Sequence, residues 1–220
     1  METPFVIHRL ALTACPEAVE VPLLLARQRI AYTRMDTLNW PDRFPYLPDV
    51  SFAAAWTPGA LLLHYVVAEE QVLVHAVADH GKVWEDACVE CFVQPEGASH
   101  YYNVECNCLG VLHMAAGPGR PGRQWAPDGA MRSVRRWASL GSDAVDGREG
   151  VTRWEVALVV PREAFFLDDA VPFRSDSVWH GNFYKCGGKG RWTHYVSWHP
   201  VQAPAPDFHR PECFGPLIFA

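Results

Sequence analysis

Along most of the chain the apolar residues run together or alternate with polar ones, and glycine and proline close each run. A period of two marks a strand with one buried face, and a short continuous apolar run suits a strand covered on both. On this basis "ALLLHYVVAEEQVLVHAVAD" (60–79) predicts two strands around a turn at Glu69-Glu70. "DACVECFV" (86–93) and "HYYNVECNCLGVLHM" (100–114) predict a hairpin joined across "QPEGAS". "VTRWEVALVVP" (151–161) reads as a strand stopped by proline, and "REAFFL" after it as one helical turn. "SVWHGNFYKC" and "RWTHYVSWHP" predict two strands linked by "GGKG", and "FGPLIF" a last short one. Residues 39–56, rich in proline and aromatics, read as irregular structure over a sheet edge. Residues 115–131 read as a long Gly/Pro-rich loop, of the kind that is either functional or disordered.

Strands at this spacing, without β-α alternation, predict an all-β fold. The expected form is an antiparallel β-sandwich with jelly-roll or immunoglobulin-like layers, long loops and little helix. No shift in composition divides the chain, so a single domain is expected over 1–220. Its motif-bearing core covers about 60–220, and 1–59 form an N-terminal strand and an irregular extension. At 220 residues, 49% hydrophobic and 20% charged, the chain can bury a core without disulfides. A net charge of -6 argues against a nucleic-acid partner, which needs a basic stripe to neutralise phosphates. The one basic cluster, Arg132, Arg135 and Arg136, is short enough to be a solvated face. "VPLLLA" is too short for a signal peptide or a membrane span, so no membrane partner and a cytoplasmic location are expected. Seven cysteines, an odd number, fit a reducing compartment.

Candidate chemistry concentrates in residues 83–110, "VWEDACVECFVQPEGASHYYNVECNCLG". Cys88, Cys91, Cys106 and Cys108 have zinc-like spacing. Strand alternation, however, sends Cys88 and Cys91 to opposite faces, and no glycine or proline provides a knuckle between them, so these four thiols are expected to bind no metal. Val89, Cys91, Val93, Val104, Cys106, Trp154 or Val156, and Leu158 are expected in the core. On the other face Glu90 goes with Cys88, Phe92 and Gln94, while Tyr101, Asn103, Glu105 and Asn107 line up on the next strand. Glu90, Asn103 and Glu105 could then converge beside Trp84, an array suited to a neutral polyhydroxylated ligand or simply to a solvated sheet face. Nine tryptophans, a high number, hint at flat platforms.

The stretch resembles the core of the family 9 carbohydrate-binding modules and their DOMON-like relatives. The pattern is a tryptophan, an aspartate three residues on, a glutamate three further, a proline-containing turn and an aromatic strand ending in glycine. Here these are Trp84, Ala87 in the aspartate's place with Asp86 beside it, Glu90, Pro95, Tyr101, Tyr102 and Gly110. "WEVALVVPREAF", "GNFYKC", "YVSWHP" and "FHRPECFGPLIF" are similar to later strands of the family, so the resemblance covers about residue 60 to the C-terminus. It implies a non-catalytic β-sandwich that binds a carbohydrate ligand, with Trp84 and Glu90 as the best-matched contacts, Asn182 as a polar contact and Trp198 as a second platform. It implies no cofactor, is compatible with a structural calcium, and would allow a secreted or periplasmic protein.

Two other classes stay open. Glu90 and Glu105 could be the carboxylate pair of a glycan-acting enzyme, although no G-x-S-x-G, H-E-x-x-H or P-loop is present and "CGGKG" lacks the Walker spacing. A DOMON-like haem or redox module would need an axial pair from the ten histidines and from Met35, Met114 and Met131. Oligomeric state leaves no signal in the sequence.

Overall fold

The computed structural model of the protein describes residues 3–12, 14–141, 148–169, 171 and 173–220. The first quarter of the chain forms β1 (Phe5–Arg9), helix α1 (Val21–Arg27), the short β2 (Thr33–Arg34) and β3 (Thr37–Leu38), and β4 (Asp49–Thr57). Then come β5 (Ala60–Val72), β6 (Ala87–Gln94), β7 (Tyr101–Asn107), β8 (Leu112–Gly117) and β9 (Gln124–Trp125). Helix α2 (Asp128–Ser133), β10 (Arg135–Ala138), β11 (Arg148–Pro161), β12 (Val178–Gly187), β13 (His194–Ser197) and β14 (Gly215–Phe219) complete it.

The strands form two layers of a β-sandwich, ordered β10-β11-β5-β4 in one and β14-β12-β6-β7-β8-β9 in the other. β1 joins them by pairing with β4 on one side and with β14 on the other. Both β1 pairings are parallel, whereas the remaining ladders among the described residues are antiparallel. The expectation of an antiparallel sandwich therefore holds except at this seam.

Between the layers lies the main core. Phe52, Leu63, Tyr65, Trp154, Val156 and Leu158 meet Val89, Cys91, Val93, Val104, Cys106 and Phe183 from the opposite layer. The core residues expected from the alternation are all in it. The outer face of the first layer is also apolar, because Val21 and Leu25 of α1 cover Ala53, Leu62, Ala157 and Val159. Double covering explains why β5 reads as an unbroken hydrophobic run. None of the helices among the described residues is long and apolar enough to cross a membrane.

Four stretches differ from expectation. Glu69 and Glu70 do not turn the chain; β5 runs through them to Val72, because the Glu69 carboxylate is buried and paired with Lys185 at 2.8 Å. Residues 100–114 form two strands, since Gly110, at φ +83°, supplies the left-handed turn that only glycine adopts without strain. Residues 39–56 are not all irregular, nor are 1–59 a mere extension after β1. β4 takes a place inside the layer between β5 and β1, where Phe52, Ala54 and Trp56 face the main core. The expected long loop at 115–131 contains the end of β8, all of β9 and the start of α2.

Candidate functional site

The second layer turns one face away from the core, and on it three rows of residues run across the strands. In one, Tyr184, Glu90, Glu105 and His113 stand side by side on β12, β6, β7 and β8. Beside it run Cys186, Cys88 and Asn107. The third row is Asn182, Phe92, Asn103 and Ala115. Alternation along β6 and β7 thus places Glu90, Asn103 and Glu105 together as expected, and Asn103 Nδ2 donates to Glu105 Oε1 at 2.9 Å.

Part of this face is roofed by residues 199–214, whose Phe208 ring stacks on Tyr184 at 4.1 Å. The remainder opens into a cleft of about 290 Å³. Glu90, Glu105 and Cys186 reach it from the sheet, Trp84 and Glu85 from one wall, and Arg120, Arg123 and residues 206–209 from others. Trp84 sits in a 3-10 turn, Val83–Glu85, anchored by buried Val83. The next residue, Asp86, is fully buried, and its carboxylate accepts from the amides of His75 and Ala76 and from Asn107 Nδ2. Gly188 presses on the other side of this turn, and a Cβ there would lie 2.4 Å from the Trp84 carbonyl oxygen. The "GGKG" hairpin is therefore glycine-rich partly because it packs against the turn carrying Trp84. The indole itself remains 37% exposed, so it is not core, and its ring meets His113 edge-on at 5.3 Å.

Burial pushes the Glu90 and Glu105 carboxyls well above the usual range. Cys186 beside Glu90, and Glu90 beside Glu105, add to the effect, while Arg123 opposes it. Arg123 Nη1 donates to Asn103 Oδ1 at 3.0 Å and to the His209 ring at 2.9 Å. Lys189 holds Glu85 at 2.5 Å, drawing that carboxyl below its ordinary value. The floor thus carries carboxyls that can donate as well as accept, next to a fixed guanidinium and an exposed indole.

His113 gives this region an acid sensitivity. Burial, then His80 and Arg123, hold its imidazole down to about 4, against 6.5 without those neighbours. Between those values the unfolded chain takes up a proton that the folded one refuses, so its contribution to stability is lost as the pH falls through that window. Relative to His113→Gln, the wild type should lose about 2 kcal/mol between pH 7 and pH 5, read by urea unfolding at both. Equal losses in the two proteins would show that His113 is not held neutral.

Of the six expected contacts, Trp84, Glu90 and Glu105 line the cleft, and Asn103 supports it through Glu105 and Arg123. Asn182 and Trp198 do not line it. The Asn182 amide is spent on backbone, donating to His199 O at 2.8 Å and accepting from His199 N at 2.9 Å, which fastens the start of the roofing segment. Trp198 packs edge-on against Phe5 at 5.6 Å and Phe183 at 6.1 Å. The sequence reading missed Arg120, Arg123 and residues 206–209, which come from loops with no periodicity. The four expected non-ligand thiols also separate: Cys88 lies on the cleft side, and Cys91, Cys106 and Cys108 lie in the main core.

A family model described as carbohydrate-binding family 9 matches residues 19–219. The chain is 41% identical to a candidate carbohydrate-binding protein from Bacteroides uniformis, with 99% of each chain covered and a TM-score of 0.94. A family 9 carbohydrate-binding module from Caldicellulosiruptor kristjanssonii shares the fold in two structures, both 11% identical. The one with cellotriose has a TM-score of 0.60 and covers 99% of this chain and 93% of that one. The one with glucose has a TM-score of 0.61 and covers 99% and 96%. No curated protein matches.

Proposed function

The chain belongs to carbohydrate-binding family 9, and from that premise we propose that the cleft beside Trp84 holds the end of a sugar ligand. The observation that carries this reading is the meeting of a part-exposed indole with Glu90 and Glu105 in one cleft. A sugar ring offers C–H faces to an aromatic platform and hydroxyls that need both donors and acceptors in a partly desolvated site. The buried carboxyls supply both kinds of group, and Arg123 adds donors. A volume of about 290 Å³ is at the small end for ligand sites, which suits a sugar end rather than a long chain. The module from Caldicellulosiruptor kristjanssonii, with glucose and cellotriose bound, makes glucose and short cello-oligosaccharides the first ligands to try.

The carboxylate pair favours binding over hydrolysis. Glu90 and Glu105 are direct partners on adjacent strands and rise from one face, so they lie beneath a ligand. Glycoside hydrolysis needs two carboxyls flanking the scissile bond. Seven free cysteines, six of them buried, support a reducing compartment for this member of the family.

Calorimetric titration of the wild type and of Trp84→Ala against a panel of mono- and disaccharides tests the reading. Loss of the platform should weaken binding by about 1–3 kcal/mol, with the melting temperature nearly unchanged. A sugar bound equally well by both proteins would remove Trp84 from the site, and no binding to any sugar of the panel would count against the reading as a whole.

A further inference from the structure

Cys88, Glu90 and Cys186 offer one thiol or carboxylate atom each, all within 4.8 Å of one another. Cys88 and Cys186 are register partners across β6 and β12, and Glu90 stands two residues from Cys88 on the same face. The three side chains thus rise from two strands that the sheet holds rigidly, the kind of support a preorganised site requires. We propose that this trio is a binding site for a divalent transition metal of the zinc class, set in the floor of the cleft with its fourth position open.

The spacing fits such an ion. With metal–sulfur and metal–oxygen bonds of roughly 2.3 and 2.1 Å, tetrahedral geometry puts neighbouring ligand atoms about 3.6 Å apart. Cys186 Sγ lies 3.2 Å from Glu90 Oε1, so small side-chain rotations would admit the ion between them. Two thiolates and one carboxylate make a soft donor set, which selects zinc, cobalt or cadmium over calcium and magnesium. Three protein ligands leave one position, and because Glu90 and Cys186 both line the cleft, water or a ligand oxygen can reach it.

The thiol that matters is paired across the sheet rather than along the strand. Cys91, three residues from Cys88, faces the opposite core, and the partner is Cys186, 98 residues further along the chain. No spacing motif could reveal it. Binding replaces two thiol protons by the ion, so uptake releases at least two protons per metal, plus that of Glu90 where its carboxyl is protonated.

The test is titration of the reduced full chain with Co²⁺ and then Zn²⁺, with no sugar present. One Co²⁺ per chain should bind with the near-ultraviolet thiolate charge-transfer band and the visible bands of a four-coordinate ion. One Zn²⁺ should displace it, with at least two protons released in weak buffer. Cys88→Ser and Cys186→Ser should each weaken Zn²⁺ binding at least about 100-fold, more than a change to a supporting residue outside the ligand shell, while Cys15→Ser should leave it unchanged. The proposal is overturned if no ion binds stoichiometrically, if bound Co²⁺ shows no thiolate band, or if Zn²⁺ binds both serine variants like the wild type. Because the wild-type cobalt spectrum needs no variant, a misfolded mutant cannot rescue or sink the idea. Failure here would leave the sugar reading intact, since that stands on the meeting of Trp84 with Glu90 and Glu105, which needs no ion, and on a separate titration.

Discussion

Lys185→Met should lower the unfolding free energy by about 3–5 kcal/mol, the usual effect of removing one partner from a buried ion pair. Lys185 is fully buried, and its Nζ donates to Glu69 Oε2 at 2.8 Å, to Cys186 O at 2.8 Å and to His194 Nε2 at 2.9 Å. The other Glu69 oxygen accepts from Trp154 Nε1 at 2.7 Å. Burial and the lysine charge push His194 well below its ordinary value, so it stays neutral and can accept. Its Nδ1–H donates to Trp192 O at 2.7 Å. With every group paired, the network ties β5 in one layer to β12 in the other. Taking away the lysine strands a carboxylate where water cannot reach it. Urea unfolding should show a lower midpoint with an unchanged slope. The double variant Lys185→Met with Glu69→Gln should recover part of the loss, because no charge is then left unpaired. A single variant within 1 kcal/mol of the wild type would mean that Glu69 finds water or another cation.

Val104→Asp should be at least as severe, at about 4–5 kcal/mol or more, since it sets an unpaired carboxyl among apolar neighbours. Val104 is 2% exposed, opposite Cys91 on β6 and Met114 on β8, and its side chain points between the layers. Val151→Asp is the matched control. Val151 lies on β11 and is 66% exposed, so the same chemical change there should stay within about 0.5 kcal/mol. If Val104→Asp unfolds at the same urea concentration as Val151→Asp, the faces assigned to β7 are reversed.

That assignment could be made from the sequence because alternation is a local property. The pattern in residues 86–107 sorts Val89, Cys91, Val104 and Cys106 from Glu90, Asn103 and Glu105 without knowledge of any other strand, and the structure keeps that division. What the sequence hid depends on contacts between distant residues. Glu69 looks like a turn residue until Lys185, 116 positions away, accounts for its burial. β4 carries Ala53, Ala54 and Ala55, a weak strand signal, and follows a proline-rich stretch, yet β5 and β1 fix it in place. Half of the candidate site was legible for the same reason. Trp84, Glu90 and Glu105 are carried by or adjoin one hairpin, whereas Arg123 and residues 206–209 reach the cleft from loops placed by tertiary packing. Asn182 sits on the correct face, but its amide is consumed by the His199 backbone, which no local pattern discloses.

The seam at β1 has a kinetic consequence. Its two neighbours are β4, which follows it closely, and β14, some two hundred residues away. The Arg9 amide donates to the carbonyl of Ala220, and the Ala220 amide to that of Ile7. During synthesis β1 therefore waits with one raw edge until the final strand leaves the ribosome, and a bare edge invites pairing with other chains. Contacts of such long sequence separation also slow the search for the native state. A chain that stops before β14 lacks the partner that closes the second layer onto the first, so clearance of truncated products would matter more here than for a fold whose ends lie in separate hairpins.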